Sequence, residues 1–251
     1  MLEASYKYRK GAFLRFSLFF TAMALIFSTI GVAYSNSAYR NYVDADSSGS
    51  LTILPTIVID AGHGGEDGGA STYGGAPEKE LNLLIANDLR DMLLAVGVPV
   101  LMTRTDDTLL YDKNSDYKGH KKSMDLANRL KIARSADSPI LISIHMNAFP
   151  EEKYSGLQVY YSKNSPNSAK LAKTIQDMNK SVISPANNRK IKPAEKNIYL
   201  LDRFEEPAIL IECGFLSNDE ERELLATPEY RQRLAACFFA SIMQHISSPV
   251  K

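Results

Sequence analysis

The sequence is poor in the residues that build thiolate and nucleotide sites. Its 251 residues include only two cysteines, Cys213 and Cys237, and neither belongs to a CxxC pair or a cysteine–histidine cluster. Thiolate zinc sites are therefore excluded, and we expect both thiols to be unpaired and buried. The phosphate-binding patterns GxGxxG and GxxxxGKS/T are also absent, which argues against a phosphate-cradling role for the glycines after residue 61.

The charges of the chain balance, with 29 basic and 29 acidic side chains. A net charge of zero gives no indication of a nucleic acid partner, and we expect none. Hydrophobic residues make up 45% of the chain, which is enough for one core of roughly 200 residues with an appendage. The appendage is the N-terminal part, whose composition differs from that of the rest.

The N-terminal part predicts a membrane anchor. Residues 1–15 form a short basic segment, and residues 16–35 form an uncharged, mostly apolar one. At about 1.5 Å per helical residue, the apolar core Phe16–Ala33 spans roughly 27 Å, close to the hydrocarbon thickness of a bilayer. Because the basic residues precede it, we expect the chain beyond it to lie outside the cytoplasm. The alternative is a signal segment cleaved near Ala33–Ser35, followed by secretion.

A small, polar stretch at residues 36–55 predicts a flexible tether, and residues 56–251 are predicted to form one catalytic domain. The domain alternates between strand and helix patterns. We predict strands at Thr56–Asp60, Val98–Thr103, Ile140–His145, Gly156–Tyr161, Asn197–Leu201 and Ala208–Glu212. We predict helices at Glu78–Val96, Ser123–Ala136, Ser168–Val182, Glu220–Ala226 and Glu229–Ile246. This order predicts an α/β fold, a single twisted and mostly parallel sheet with helices on both faces.

Within the predicted helix Ser123–Ala136, the periodicity places Leu126, Leu130 and Ile132 inward and the basic residues outward. The preceding stretch, Thr105–Lys122, is polar and is predicted to be a surface loop or the wall of a groove.

Residues able to bind a metal follow the ends of predicted strands, where an open α/β sheet builds its site. His63 comes after the first strand and lies between glycines, which permit close approach of the backbone. His145 ends an apolar strand. Glu212 ends another, where a buried carboxylate is costly unless it is paired or used. The remaining histidines, His120 and His245, are not expected to belong to a site.

A further acid from the early part of the chain is needed to complete a metal site. Glu66 and Asp67 lie close to His63, and Glu78 and Glu80 both lie near the start of a helix, where the helix dipole already stabilises acids. The residue pattern alone does not choose among them. Two histidines, one early acid and one late acid are nevertheless the inventory of a catalytic zinc site, which keeps one coordination position for water.

Five motifs resemble those of a known family and occur in the family's order. They are Asp60–Ala70 (DAGHGGEDGGA), Glu78–Leu83 (EKELNL), Met102–Asp107 (MTRTDD), Ser143–Ala148 (SIHMNA) and Pro207–Asn218 (PAILIECGFLSN). The chain resembles the type-3, zinc-dependent N-acetylmuramoyl-L-alanine amidases over roughly Thr56–Ile246. The short architecture, the Gly119–Ser123 loop and the Asn187–Arg189 connection are most similar to the germination-type, spore-cortex members.

The resemblance implies specific roles for four residues. His63, Glu78 and His145 would bind Zn²⁺, because the family's metal-binding glutamate precedes a lysine, and Glu212 would be the catalytic carboxylate. The implied reaction is hydrolysis of the amide between N-acetylmuramic acid and L-alanine in peptidoglycan by zinc-activated water, with Glu212 as general acid and base. The implied partners are peptidoglycan and the membrane; the sequence does not indicate whether a protein activator exists.

Two alternative functions use the same residues differently. A zinc carboxypeptidase or endopeptidase would cut between amino acids of the stem peptide. A non-catalytic, membrane-tethered module would only bind peptidoglycan, but such a module has no need for a buried, unpaired acid at Glu212.

Overall fold

The computed structural model describes residues 54–70, 75–112, 114 and 117–248. The predicted anchor and nearly all of the predicted tether lie outside these residues. No helix in the described part of the chain has both the length and the apolar character that crossing a bilayer requires.

The described residues form one six-stranded sheet with the strand order β2-β1-β3-β6-β4-β5. The strands are β1 Ile57–Ala61, β2 Val100–Met102, β3 Ile140–Asn147, β4 Gln158–Tyr161, β5 Lys192–Pro193 and β6 Ala208–Phe215. The neighbours β2–β1, β1–β3, β3–β6 and β4–β5 are parallel, whereas β4 runs antiparallel to β6. The predicted α/β class and single sheet are therefore confirmed, and the sheet is a mixed one.

Helices cover both faces of the sheet, as predicted. They are α1 Glu78–Ala95, α2 Lys121–Arg134, α3 Pro166–Val182, α4 Tyr199–Arg203, α5 Asp219–Ala226 and α6 Pro228–Ile246. Alternate strand residues point to opposite faces. Ile57 and Ile142 join the larger core with α1, α3 and α6. Val58 and Leu141 join a smaller core with α2 and α4.

The predicted strand Asn197–Leu201 is wrong, because this segment begins the short helix α4. Asp202 N–H donates to Ile198 O, and Leu200 and Leu201 are both buried against the sheet. A short apolar run does not distinguish a buried strand from a turn of buried helix.

The predicted orientation of α2 is wrong at one residue. Arg129 is only 1% exposed, so this basic side chain points inward, while Leu130 is buried beside it. Its guanidinium reaches Asp60 at the end of β1 (Nη1–Oδ1 2.9 Å) and Asp125 one helical turn earlier (Nε–Oδ2 2.8 Å). Charge compensation by two buried acids makes the inward position tolerable.

The buried carboxylate of Asp60 is fully paired. Thr103 Oγ1 and Ser143 Oγ donate to it at 2.7 and 2.6 Å, in addition to the ion pair with Arg129. Burial alone would raise the pKa of Asp60, but Arg129 and the two hydroxyls lower it to about 2. The carboxylate is therefore charged throughout the neutral range.

We expect Asp60→Asn to lower the free energy of unfolding at pH 7 by about 3–5 kcal/mol, because it leaves Arg129 buried without its main partner. Since the folded pKa lies below the ordinary 3.8, the contribution is present above about pH 4 and disappears as the pH falls through 2. Urea unfolding in a chelator, from pH 7 to pH 2, measures both effects.

Asp91→Asn is the matched control, since Asp91 makes an exposed pair with Arg90. It should change the free energy of unfolding by less than about 0.5 kcal/mol at any pH. An Asp60→Asn deficit that does not shrink between pH 4 and pH 2 would contradict this account of the pair.

Candidate metal centre

The glycine-rich loop after β1 brings His63 against two other side chains. His63 has a positive φ of 62°, which is uncommon for a residue with a side chain. A Cβ on Gly62 would lie 2.2 Å from Cε1 of His145, and a Cβ on Gly69 would lie 2.5 Å from Oε2 of Glu78. Only glycine therefore fits at these two positions of close approach.

The structure brings together His63, Glu78 and His145. Oε1 of Glu78 lies 3.3 Å from Nε2 of His63 and 3.0 Å from Nδ1 of His145. Among the residues described, these three side chains form the group that could hold a metal ion, with ligand atoms all within 4.8 Å of one another. Glu80 is exposed and lies outside the group, so the structure distinguishes it from Glu78.

Each of the three elements that carry these residues ends or begins at the carboxyl edge of the sheet. Glu78 is the first residue of α1, and its Oε2 accepts from Ala70 N–H at 2.7 Å. Its Oε1 also accepts from Met146 N–H at 3.0 Å. Backbone donors thus fix the carboxylate before any metal binds, which is how protein sites orient their ligands.

The electrostatics of the three residues favour a cation between them. Burial raises the pKa of Glu78, but the contacts with His145 and His63 outweigh it and hold this pKa well below its usual range. Burial alone would lower the pKa of His63, but the contacts with Glu78 and Asp67 outweigh burial and raise this pKa above its usual value. The pocket therefore stabilises positive charge at the point where the imidazoles and the carboxylate meet.

Asp67 contacts the far side of the His63 ring. Its Oδ2 lies 2.9 Å from Nδ1 of His63, at ion-pair distance although outside hydrogen-bond geometry. A carboxylate on the other ring nitrogen is the usual partner of a metal-binding histidine, and it leaves Nε2 facing Glu78. Asp67, which the sequence left open as a ligand, is thus placed behind the group and not in it.

Two buried arginines hold the carbonyls of the glycine-rich loop. Arg129 donates to Ala61 O at 2.7 Å and to His63 O at 2.5 Å. Arg104 donates to Ala61 O and Gly62 O at 2.8 and 3.0 Å. Four fixed donor contacts oppose the strain of the positive φ at His63 and keep its ring aimed at Glu78.

Sequence patterns did not predict a role for these supporting residues, although one motif signals some of them. The motif Met102–Asp107 includes Arg104 and Asp107. Asp107 accepts from Gly65 N–H at 2.7 Å and pairs with Lys79 at 2.6 Å, next to Glu78. The charged residues of this motif therefore serve to hold the glycine-rich loop in place. Arg129 had no such signal, because a basic residue on a helix is expected to face water.

Glu212 lies beside the three residues and has a free oxygen. The parallel register of β3 and β6 pairs His145 with Glu212. Oε2 of Glu212 is buried and has no hydrogen-bond partner among the described residues. Burial is the main cause that raises its pKa, to about 7, while the charge of His145 opposes the rise. Glu212 can therefore carry a proton near neutral pH.

A cleft of about 240 Å³ opens over these residues. The residues that line it include His63, His145, Glu212, Lys122 and Asn197. Cys213 points to the opposite face and is fully buried in the larger core, as predicted; both cysteines are free and buried. No cysteine nucleophile reaches the cleft.

The residues present fit a zinc ion. Two imidazoles and one carboxylate converge at one point, which is the ligand set of a catalytic zinc site, and the cleft leaves room for a further ligand. Glu212 is the strand neighbour of His145 and lines the same cleft. The three residues thus form a possible metal site.

Comparison with known proteins identifies the family. Residues 57–244 match the family described as N-acetylmuramoyl-L-alanine amidase. The chain belongs to this family. The predicted enzyme class is thereby confirmed. The family is named for amidase activity, and not for either alternative, peptidase activity or non-catalytic binding.

Several relatives carry the same name. The germination-specific N-acetylmuramoyl-L-alanine amidase of Bacillus subtilis strain 168 is 37% identical over 191 residues, which cover 76% of this chain and 79% of that protein. The amidase AmiA of Escherichia coli K12 is 25% identical over 231 residues, which cover 75% of each chain.

Solved structures share the fold. The CwlD amidase from Clostridioides difficile, solved in complex with the GerS lipoprotein, has 39% identity and a TM-score of 0.72, with 77% of this chain and 98% of that one covered. The amidase AmiC2 of Nostoc punctiforme has 28% identity and a TM-score of 0.66, with coverage of 77% and 98%.

We expect His145→Ala and Glu78→Gln each to abolish retention of zinc, because each removes one of three ligands while most contacts of the fold remain. Elemental analysis after dialysis against a weak chelator measures retention. His120→Ala and Glu80→Gln, at exposed positions, are matched controls that should keep one equivalent. A full equivalent of zinc in His145→Ala would contradict the assignment.

Proposed function

We propose that this chain hydrolyses the amide between the lactyl group of N-acetylmuramic acid and L-alanine in peptidoglycan, with Zn²⁺ bound by His63, Glu78 and His145. The observation that carries the proposal is the placement of the unpartnered Glu212 oxygen beside a two-histidine, one-carboxylate group in an open cleft. Family membership supports the substrate, and the donor set supports the metal.

When bound, zinc supplies a water of lowered pKa and polarises the amide carbonyl. The chain's own residues do the remaining work. His63, Glu78 and His145 fix the position of the ion, and Asp67 and the backbone donors around Glu78 fix these ligands. Because the three ligands are set before binding, little reorganisation is needed when substrate arrives.

Glu212 is proposed to move the proton. A carboxylate with a pKa near 7 can accept a proton from water and deliver it to the leaving amine at neutral pH. Cleavage of an amide needs this delivery, because the amine is a poor leaving group unless it is protonated. Oε2 of Glu212 is buried and has no hydrogen-bond partner among the described residues, so no other contact occupies it.

The biological setting is proposed from the relatives. The relative from Bacillus subtilis is germination-specific, and the CwlD structure contains a lipoprotein partner. We propose that this chain likewise acts on spore peptidoglycan and contacts a protein partner there. The N-terminal basic and apolar segments support an anchored protein whose catalytic part lies outside the cytoplasm.

Analysis of products tests the proposed reaction. Mass spectrometry of peptidoglycan digested with the zinc-loaded protein should show free N-terminal L-alanine peptides and muramic acid with a free lactyl carboxyl group. A chelated sample should show neither product. Fragments cut between two amino acids would establish a peptidase and overturn the proposal.

We expect Glu212→Gln to lower the rate by about 10²–10⁴-fold, the usual contribution of general acid–base catalysis. Glutamine keeps the size and one acceptor oxygen but cannot carry the proton, so zinc should still be retained. Turnover and zinc content are measured on the same sample. Loss of zinc together with activity would make Glu212 a ligand, and full activity would make it structural.

We expect the full-length protein to remain with the membrane fraction after high-salt washing, because the segment Phe16–Ala33 is long enough to span a bilayer. Protease added to intact protoplasts should then digest the catalytic part. Mature protein that begins near Asn36 in the soluble fraction would demonstrate cleavage and exclude the anchor.

A further inference from the structure

A second cavity, of about 300 Å³, lies at the start of β4, the strand that pairs with β6 on the side away from β3. It is lined by the segment after β3 and by the connection that follows α3, including Lys153, Tyr154, Asn188 and Arg189. None of these residues belongs to the metal centre. Two of them are cations held over aromatic rings, so the chemistry of this cavity differs from that of the cleft.

The side chain of Arg189 is held in place, but only part of its guanidinium is hydrogen-bonded within the described residues. Its guanidinium carbon lies 4.5 Å from the centre of the Phe215 ring, and its Nε donates to Ser155 O at 2.7 Å. Its two terminal nitrogens have no hydrogen-bond partner within the described part of the chain. A guanidinium that is stacked on a ring and tied at Nε presents its outer edge in one orientation, suited to a carboxylate.

The segment that carries Arg189 is anchored on the sheet. The side chain of Asn187 is buried, donates to Leu157 O at 2.9 Å and accepts from Arg189 N–H at 3.0 Å. It packs against Gly156, where a Cβ would lie 2.8 Å from Oδ1 of Asn187. The backbone at Arg189 is therefore held in place by these contacts of Asn187.

Lys153 supplies a second positive charge. Its Nζ lies 5.2 Å from the centre of the Tyr154 ring, and that ring lies 6.4 Å from the ring of Phe215. The one acid that lines the cavity, Glu221, already uses both oxygens, which accept from Gly156 N–H and Phe215 N–H at 2.8 and 2.7 Å. Glu221 also interacts with the charge of Arg189. The cavity thus combines two cations with one acid, so its formal net charge is positive.

The cavity lies close to the proposed catalytic carboxylate. Gln158 is the cross-strand partner of Glu212 and donates through Nε2 to Lys190 O, the residue after Arg189. Phe215, under the guanidinium, is on the same strand as Glu212. Burial and the charge of Glu212 raise the pKa of Tyr160, while the charge of Arg189 lowers it, so both charges act on this neighbouring side chain.

We propose that Arg189, with Lys153 beside it, binds a carboxylate of the stem peptide. This inference rests on the proposed amidase function. In the substrate, the lactyl carboxyl group is consumed in the scissile amide and the sugars are N-acetylated, so the free carboxylates are on the peptide side. Arg189 would therefore place the peptide side of the substrate in this cavity. Conversion of the peptide carboxylates to carboxamides would then weaken substrate binding.

A pair of synthetic N-acetylmuramoyl-L-alanyl peptides tests this site, one with free peptide carboxylates and one with the same groups as carboxamides. The full-length, zinc-loaded wild type should have a KM about tenfold higher for the carboxamide, as expected for loss of one charge-assisted hydrogen-bonded contact. Arg189→Gln should raise KM about tenfold for the carboxylate substrate and leave KM for the carboxamide within about twofold. Zinc content should not change.

Lys163→Gln is the matched control, since Lys163 is an exposed cation just after β4, at the opposite edge of the sheet. It should leave the preference for the carboxylate intact. Equal losses on both substrates in Arg189→Gln would mean a structural role and overturn the inference. Hydrolysis without any preference in the wild type would also overturn it. Failure of the wild type to cleave either peptide would instead remove the proposed function, and this inference with it.

Discussion

The buried guanidinium of Arg129 is the contact on which the geometry of the candidate metal centre depends. It joins two carboxylates, Asp60 and Asp125, to the carbonyls of Ala61 and His63. An ion pair of this kind gains little stability over apolar packing, because desolvation of the charges offsets their attraction. What it provides is position: a helix on one face of the sheet is connected through one side chain to the loop that presents His63.

Several unusual features of the backbone and side chains occur together around this loop. His63 has a positive φ, Glu212 has an unpartnered buried oxygen, and Gly62 and Gly69 leave no room for a side chain. Elsewhere, alternate residues of the strands pack into two apolar cores. Local strain and an unsatisfied polar atom in one place are expected where a protein keeps a site ready for a ligand.

Sequence patterns predicted the main elements because they are strongly periodic, and the strand-end positions of His63, His145 and Glu212 followed from the same reading. The antiparallel direction of β4 was not predictable, since a strand's residues do not encode its direction. The helix at Tyr199–Arg203 was missed because its apolar run is short. Arg129 was placed outward because its two acidic partners are distant or a turn away, and only the folded chain brings them together.

The central claim is that His63, Glu78 and His145 bind one zinc ion while Glu212 stays free of it. Anomalous diffraction at the zinc edge, from crystals of the zinc-loaded protein, tests it most directly. The account predicts one peak, at about 2.0–2.2 Å from Nε2 of His63, from one carboxylate oxygen of Glu78 and from a ring nitrogen of His145. A peak bonded to Glu212 or Asp67 in place of Glu78 would contradict it.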